Sequence, residues 1–209
     1  MNETLKWTLI GTGIGLAAVA LAVLAAMLRN ALLRRQGRYS QVKVGGLLRK
    51  FASIRRFKVL SGLKLKNGDT VVEIDQALIG FFGIMLLKTC NETGSVYGEY
   101  RDKQWAAVIT DKHNNDRKTT FPNPVQAVEK CNEALRKLLA AHNLYKIQSE
   151  AYVVFADPKS QLTNAKKKKG MPLLTLRQLK RLLEKEKYSA DGPVDVEEIA
   201  RLLQENSVD

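Results

Sequence analysis

The stretch from residue 70 to residue 98, TVVEIDQALIGFFGIMLLKTCNETGSVYG, constrains this chain more than any other. It is rich in β-branched and aliphatic residues and is interrupted by Gly80-Phe81-Phe82-Gly83, so it reads as two strands folded about that tetrapeptide. With the turn centred between Phe81 and Phe82, Asp75 lies opposite Lys88 and Glu73 lies opposite Cys90. Side chains alternate across a strand, which places Glu73, Asp75, Lys88 and Cys90 on one face. A buried unpaired charge costs several kcal/mol, on the order of the stability of a whole domain. Four ionisable groups on an otherwise apolar hairpin are therefore the first candidates for a site.

The amino-terminal segment sets a second constraint. Residues 7–28, WTLIGTGIGLAAVALAVLAAML, contain no charge, and as a helix they extend about 33 Å, enough for the ~30 Å hydrocarbon layer. A cleaved signal peptide is the competing reading. The length of the run, and a leader (residues 1–6) with Glu3 beside its one basic residue, Lys6, favour a retained anchor. Gly11 and Gly15, followed by Ala18, Ala22 and Ala26, would permit contact with a second helix, and so a homodimer.

Twelve Lys or Arg and no Asp or Glu follow between residues 29 and 66. This asymmetry predicts a single-pass protein with a cytoplasmic carboxy-terminal domain, a polybasic linker at 29–38 and an attraction to anionic lipid headgroups. The net charge of +13 over 209 residues points the same way, to an anionic partner that is either a lipid surface or nucleic acid. Candidate contacts are Arg34, Arg35, Arg38, Arg55 and Arg56, with the later run Lys166, Lys167, Lys168 and Lys169. Two cysteines, Cys90 and Cys131, are too few for a disulfide framework. His113 and His142 have no partners at metal-ligand spacing, and GTGIG at 11–15 lies inside the apolar span with no strand before it.

Residues 39–160 read as one core: an amphipathic helix from 39 weakened by Gly45 and Gly46, a strand near 57–65, the hairpin, and short strands at 95–100, 104–110 and 118–121. Asn123-Pro124 caps a helix running to His142, and residues 150–156 form a buried strand. Residues 161–209 hold the basic loop and two helices, each opened by a capping-box pattern, Thr175-x-x-Gln178 and Asp195-x-x-Glu198, and both are expected to pack on the core.

The run Glu73-Ile74-Asp75, then Gly83-Ile84, Asn91, Tyr97-Gly98 and Asn123-Pro124 resembles the nuclease-related domain family, NERD. The resemblance implies a restriction-endonuclease-like PD-(D/E)XK fold, an α/β/α core with a central mixed sheet, here preceded by one transmembrane helix. It also implies a site in which an Asp on one strand and the Glu of a Glu-x-Lys on the next hold Mg²⁺, with the Lys near the attacking water. In this chain the family Asp falls on Asp75, but the Glu falls on Lys88 and the Lys on Cys90. A Glu of the first helix is matched by Gln41, and a Gln of the Asn-Pro helix by Ala127, with Gln126 one place short. Glu92 is a further departure from the family, and Glu73, Glu92 and Glu99 are the nearby acids that could stand in for the missing carboxylate.

Lys88 in place of the second carboxylate removes a ligand and adds a positive charge beside Asp75. The expectation is therefore a membrane-anchored nuclease-fold domain that is catalytically inactive and binds nucleic acid or a protein partner, without a cofactor. Two alternatives remain. One is an active Mg²⁺-dependent nuclease with a relocated carboxylate, in which Asp75 and Glu73 would hold the metal. The other is a basic structural adaptor at the membrane surface.

Overall fold

The computed structural model describes residues 3–111, 113–162, 165 and 173–208. The chain divides into two units, Met1–Tyr39 and Ser40–Asp209. The first is a helix, α1 (Glu3–Arg35), in which Gly15–Arg35 has a mean hydropathy of 2.1 and no buried residue. The helix runs past the expected boundary at Leu28, because Asn30-Ala31-Leu32-Leu33 contains no breaker. It stops at Gly37, whose φ of +65° lets the Arg38 N–H reach back to the Leu33 carbonyl at 3.0 Å. Most of the expected linker at 29–38 is thus helical.

In the second unit α2 (Tyr39–Ala52) precedes three antiparallel strands, β1 (Lys58–Asn67), β2 (Thr70–Gly80) and β3 (Gly83–Cys90). After β4 (Gly94–Tyr97), β5 (Gln104–Thr110) and β6 (Asp116–Pro122) comes α3 (Pro124–Ala141), then β7 (Ser149–Phe155), which lies parallel to β3. The short β8 (Ser160–Gln161) and β9 (Leu173–Thr175) precede α4 (Leu176–Leu183) and α5 (Val196–Glu205). The central sheet is mixed, in the order β1-β2-β3-β7-β9. The short strands at 94–122 do not join it. With β8 they form a second sheet, β6-β5-β4-β8, which the sequence did not distinguish from the first.

Layers form on both faces of the central sheet. Leu135 and Leu139 of α3, with Ile199 and Leu203 of α5, pack against Ala77, Ile79, Ile84 and Leu86. Val44 and Leu48 of α2, with Leu179 and Leu183 of α4, cover Leu78, Met85 and Leu87 on the other side. This is the expected α/β/α sandwich, with the two carboxy-terminal helices on opposite faces. Thr175 makes the full reciprocal capping box with Gln178, whereas Asp195 only accepts from the Glu198 N–H. The second face also holds an unforeseen polar group, where the buried Tyr188 and Tyr152 hydroxyls donate to Glu150 Oε2 at 2.6 and 2.8 Å and Lys187 pairs with Oε1 at 2.6 Å.

The hairpin register is the one the turn predicts: Gly80 pairs with Gly83 and Gln76 with Leu87. Strict alternation, however, fails. Leu60 and Leu63 on β1, like Ala77 and Ile74 on β2, pack into the same core although each pair is three residues apart. The phase shift falls at Gly62 and Asp75, which face each other across the ladder and make no regular pair; Gly62 has a φ of +68°. The β2–β3 ladder ends at Gln76. Glu73 is therefore not opposite Cys90: Glu73 is exposed and Cys90 is buried in the core.

Candidate functional site

The phase shift turns the Asp75 carboxylate, itself 4% exposed, toward the end of β3. Its Oδ1 accepts from Lys88 Nζ at 2.7 Å. Its Oδ2 accepts from the Thr89 N–H at 2.7 Å and from the Thr89 hydroxyl at 2.8 Å. The Asp75–Lys88 pair expected from the hairpin is present, and Thr89 is a third member that the pattern of charges concealed. Burial alone would lower the Lys88 pKa, but the hydrogen bond and charge of Asp75 outweigh it, so the ammonium is held above its ordinary value.

Lys88 opens into a cleft of about 350 Å³ between β2 and the start of α3, lined also by Glu73, Lys103, Gln126, Ala127, Lys130 and Cys131. Lys103 and Lys130 are exposed and have no carboxylate partner among the described residues. They come from the β5 approach and from α3, so no local spacing could have joined them to Lys88. The α3 end of the cleft is held by Asn123, whose Oδ1 caps the Val125 N–H at 2.9 Å. Its Nδ2 donates to the carbonyls of Glu99, Tyr100 and Asp102 at 3.3, 3.0 and 2.7 Å. Gln126 Nε2 also donates to Tyr100 O at 3.0 Å, so its amide is spent on the same loop. Gly98 is fixed by packing: a Cβ there would lie 2.2 Å from the buried Trp105 ring.

The remaining candidates lie apart from this group. The Gln41 side chain makes no hydrogen bond among the described residues. Its neighbour Ser40 joins α2 to the end of β3. The Ser40 N–H donates to Asn91 Oδ1 at 2.8 Å and its hydroxyl to Cys90 O at 2.6 Å. Glu92 is half-buried, one of its oxygens is enclosed without a hydrogen-bond partner, and burial raises its pKa. Arg34 stacks over Tyr39 at 4.2 Å, and Arg55 over Phe51 at 4.0 Å. Arg35, Arg38 and Arg56 belong to the exposed basic segments, and Lys166–Lys169 lie outside the described residues.

Neither thiol is poised for nucleophilic attack. Burial pushes Cys90 well above the ordinary thiol value, with Glu92 and Asp75 adding to it, and burial raises Cys131 to about 11. Both cysteines are expected to resist alkylation at pH 8 in the folded chain and to react once it is unfolded. The same shifts fix the sign of a pH dependence. Unfolded thiols ionise near pH 8.5, whereas the folded ones keep their protons, and Lys88 also keeps its proton longer when folded. Stability should therefore hold below about pH 8 and fall progressively toward pH 11, as denaturant midpoints measured across that range would show.

The donor set does not fit the metal ion that the fold implies. Mg²⁺ needs several oxygen ligands, and both Asp75 oxygens are already committed to Lys88 and Thr89. A cation at Asp75 would also meet the Lys88 ammonium directly. Among the described residues no group of three His, Cys, Asp or Glu side chains is placed to hold a metal. Glu73 stands at the cleft rim, near enough to raise the Lys88 pKa.

Comparison with curated proteins and with solved structures gives no match. The family model described as the nuclease-related domain, NERD, matches residues 36–156, more than half of the 209-residue chain and the span that carries α2, the central hairpin, the cleft and β7. With the helix-strand-helix order of that span and its α/β/α layers in agreement, the chain belongs to the nuclease-related domain family and carries its restriction-endonuclease-like fold.

Proposed function

We propose that this chain is a membrane-anchored nuclease-fold domain that has lost metal-dependent hydrolysis and uses its cleft to bind nucleic acid. One observation carries the reading: both oxygens of Asp75, the carboxylate aligned with the family Asp, are engaged by Lys88 and Thr89. The cleft lining then carries three lysines, with Lys103 and Lys130 flanking the Lys88 ammonium, against the single carboxylate of Glu73 at the rim. Phosphate contacts of this kind confer affinity without requiring chemistry. The helix α1 supports anchorage by its length and apolar character. The basic flank after it supports a cytoplasmic carboxy-terminal domain, with the amino terminus on the far side.

The test is salt-dependent binding of a single-stranded oligonucleotide by the full chain in nanodiscs of neutral lipid. The double variant Lys103→Ala/Lys130→Ala is expected to weaken binding and to reduce the slope of log K against log salt by about 0.7 per lost phosphate contact. Binding that the double variant leaves unchanged would refute the cleft as the nucleic-acid surface. Absence of binding at low salt would leave the protein-partner or adaptor reading in its place. The exposed position of Glu73 at the cleft rim is the observation that favours a relocated carboxylate, and divalent-ion-dependent cleavage abolished by Glu73→Gln would establish that second reading.

A further inference from the structure

The outward face of α2 is not explained by the cleft or by the core. Val44, Leu48 and Ala52 fix the inward face. Arg49, Lys50, Ser53, Ile54 and Arg56 are exposed, and no acidic residue occurs between residues 29 and 66. Arg49, Lys50 and Arg56 have no carboxylate partner among the described residues. The dipole at a helix carboxy terminus favours basic residues in the last turn, and that accounts for Arg49 and Lys50. It does not account for the two residues beyond them. Ile54 is 75% exposed, the highest exposure among the large apolar residues of the folded unit. Arg56, at the end of the turn after α2, adopts a left-handed φ of +55°, a conformation glycine usually fills and one that costs an arginine about 1–2 kcal/mol.

A cationic face with an apolar tip suits one kind of surface. Interfacial helices place basic residues among headgroups and sink an apolar side chain below them. The chain connection permits this: three residues separate α1 from α2, so the start of α2 is within roughly 14 Å of the end of α1 along an extended chain. We infer that the outer face of α2, together with the turn that follows it at 53–56, is a second membrane contact, which lies on anionic lipid with Arg49, Lys50 and Arg56 at the headgroups and Ile54 inserted. This inference rests on the proposed anchorage by α1. It commits to the bilayer surface as occupant, because the face combines charge with an exposed aliphatic tip, whereas phosphate contacts with nucleic acid need only the charge.

The experiment uses the full chain carrying Ile54→Cys labelled with an environment-sensitive fluorophore, Cys90 and Cys131 being buried. It is placed in nanodiscs of phosphatidylcholine alone, or with phosphatidylglycerol, and probed by quenching from nitroxide-labelled lipid. Strong quenching is expected only with phosphatidylglycerol. Charge reversal at Arg49, Lys50 or Arg56 should lower the docked-to-undocked ratio by about fivefold or more per residue. A probe that stays unquenched in phosphatidylglycerol discs, while alkaline carbonate fails to extract the chain, overturns the contact and leaves the anchor intact. Carbonate extraction of a chain whose probe is quenched on anionic vesicles overturns the anchor and keeps the contact. If the charge-reversed chains instead lose oligonucleotide binding and the probe is never quenched, the face belongs to nucleic acid and the inference fails.

Discussion

Asp75→Ala is expected to destabilise the folded unit by about 3–5 kcal/mol, the range seen when one partner of a buried ion pair is removed. Three donors lose their acceptor at once: the Lys88 ammonium, the Thr89 N–H and the Thr89 hydroxyl. Lys88 has other water-facing directions available, since its side chain is 29% exposed, but the Thr89 groups are buried. Thermal and denaturant unfolding of the full chain in nanodiscs would read the loss. The double variant Asp75→Leu/Lys88→Met, which removes the charges together, should recover much of it. A working metal site predicts the opposite sign, because clustered carboxylates repel one another and deleting one relieves strain. An Asp75→Ala chain as stable as the wild type would show that the pair is not what holds this end of the hairpin.

The second large effect is expected at Asn123. Its replacement by alanine removes the amino-terminal cap of α3 and leaves the carbonyls of Glu99, Tyr100 and Asp102 without their shared donor. Loss of the cap costs about 1–2 kcal/mol, and because the three carbonyls keep Trp105 Nε1 or Gln126 Nε2 as donors the lost bonds add only about 1 kcal/mol, for about 2–3 kcal/mol in all. Asn123→Asp keeps the cap and loses the three carbonyl bonds, so the difference between the two variants separates helix capping from loop anchoring. Equal stability of Asn123→Ala and the wild type would remove Asn123 from the account of how the cleft is held open. Oligonucleotide binding should fall in both variants, because the loop at 99–102 and the adjoining Lys103 are positioned through this residue.

These two residues also show what the sequence could and could not disclose. The Gly80–Gly83 turn and its flanking apolar runs were sufficient to set the register that brings Asp75 to Lys88, because turn geometry fixes pairing at short range. The break in alternation was not foreseen. Its one signal was Gly62, a glycine in the interior of a strand, where a kink or positive φ is the usual reason for the residue. Thr89 was passed over because an uncharged residue carries no weight in a search for ion pairs, although its N–H and hydroxyl take one whole side of Asp75. Ser40, an uncharged residue beside Gln41, is as inconspicuous in the sequence, yet it makes the bonds to the end of β3. Lys103 and Lys130 join Lys88 through the packing of α3 on the sheet, and side chains brought together across tens of residues leave no local pattern. The second sheet was hidden for a related reason. Each of its strands is short and half-exposed, and only the pairing partners distinguish a separate sheet from a continuation of the first.

These contacts limit how the family pattern could be restored. Converting the hairpin back toward the family pattern would need a lysine at Cys90, which is buried among apolar residues and whose carbonyl ties down Ser40. A lysine there would place an unpaired charge in the core, at several kcal/mol. Lys88→Glu alone is the more practical variant, since position 88 already opens into the cleft.

Whether Lys88 and Thr89 stand in place of a metal at Asp75 is decided by calorimetric titration of Mg²⁺ and Mn²⁺ into the full wild-type chain, with Asp75→Asn and Lys88→Glu titrated in parallel. The account predicts no saturable binding by the wild type or by Asp75→Asn, and new affinity for the divalent ions in Lys88→Glu, where a second carboxylate replaces the ammonium. Micromolar binding by the wild type that Asp75→Asn abolishes would contradict it.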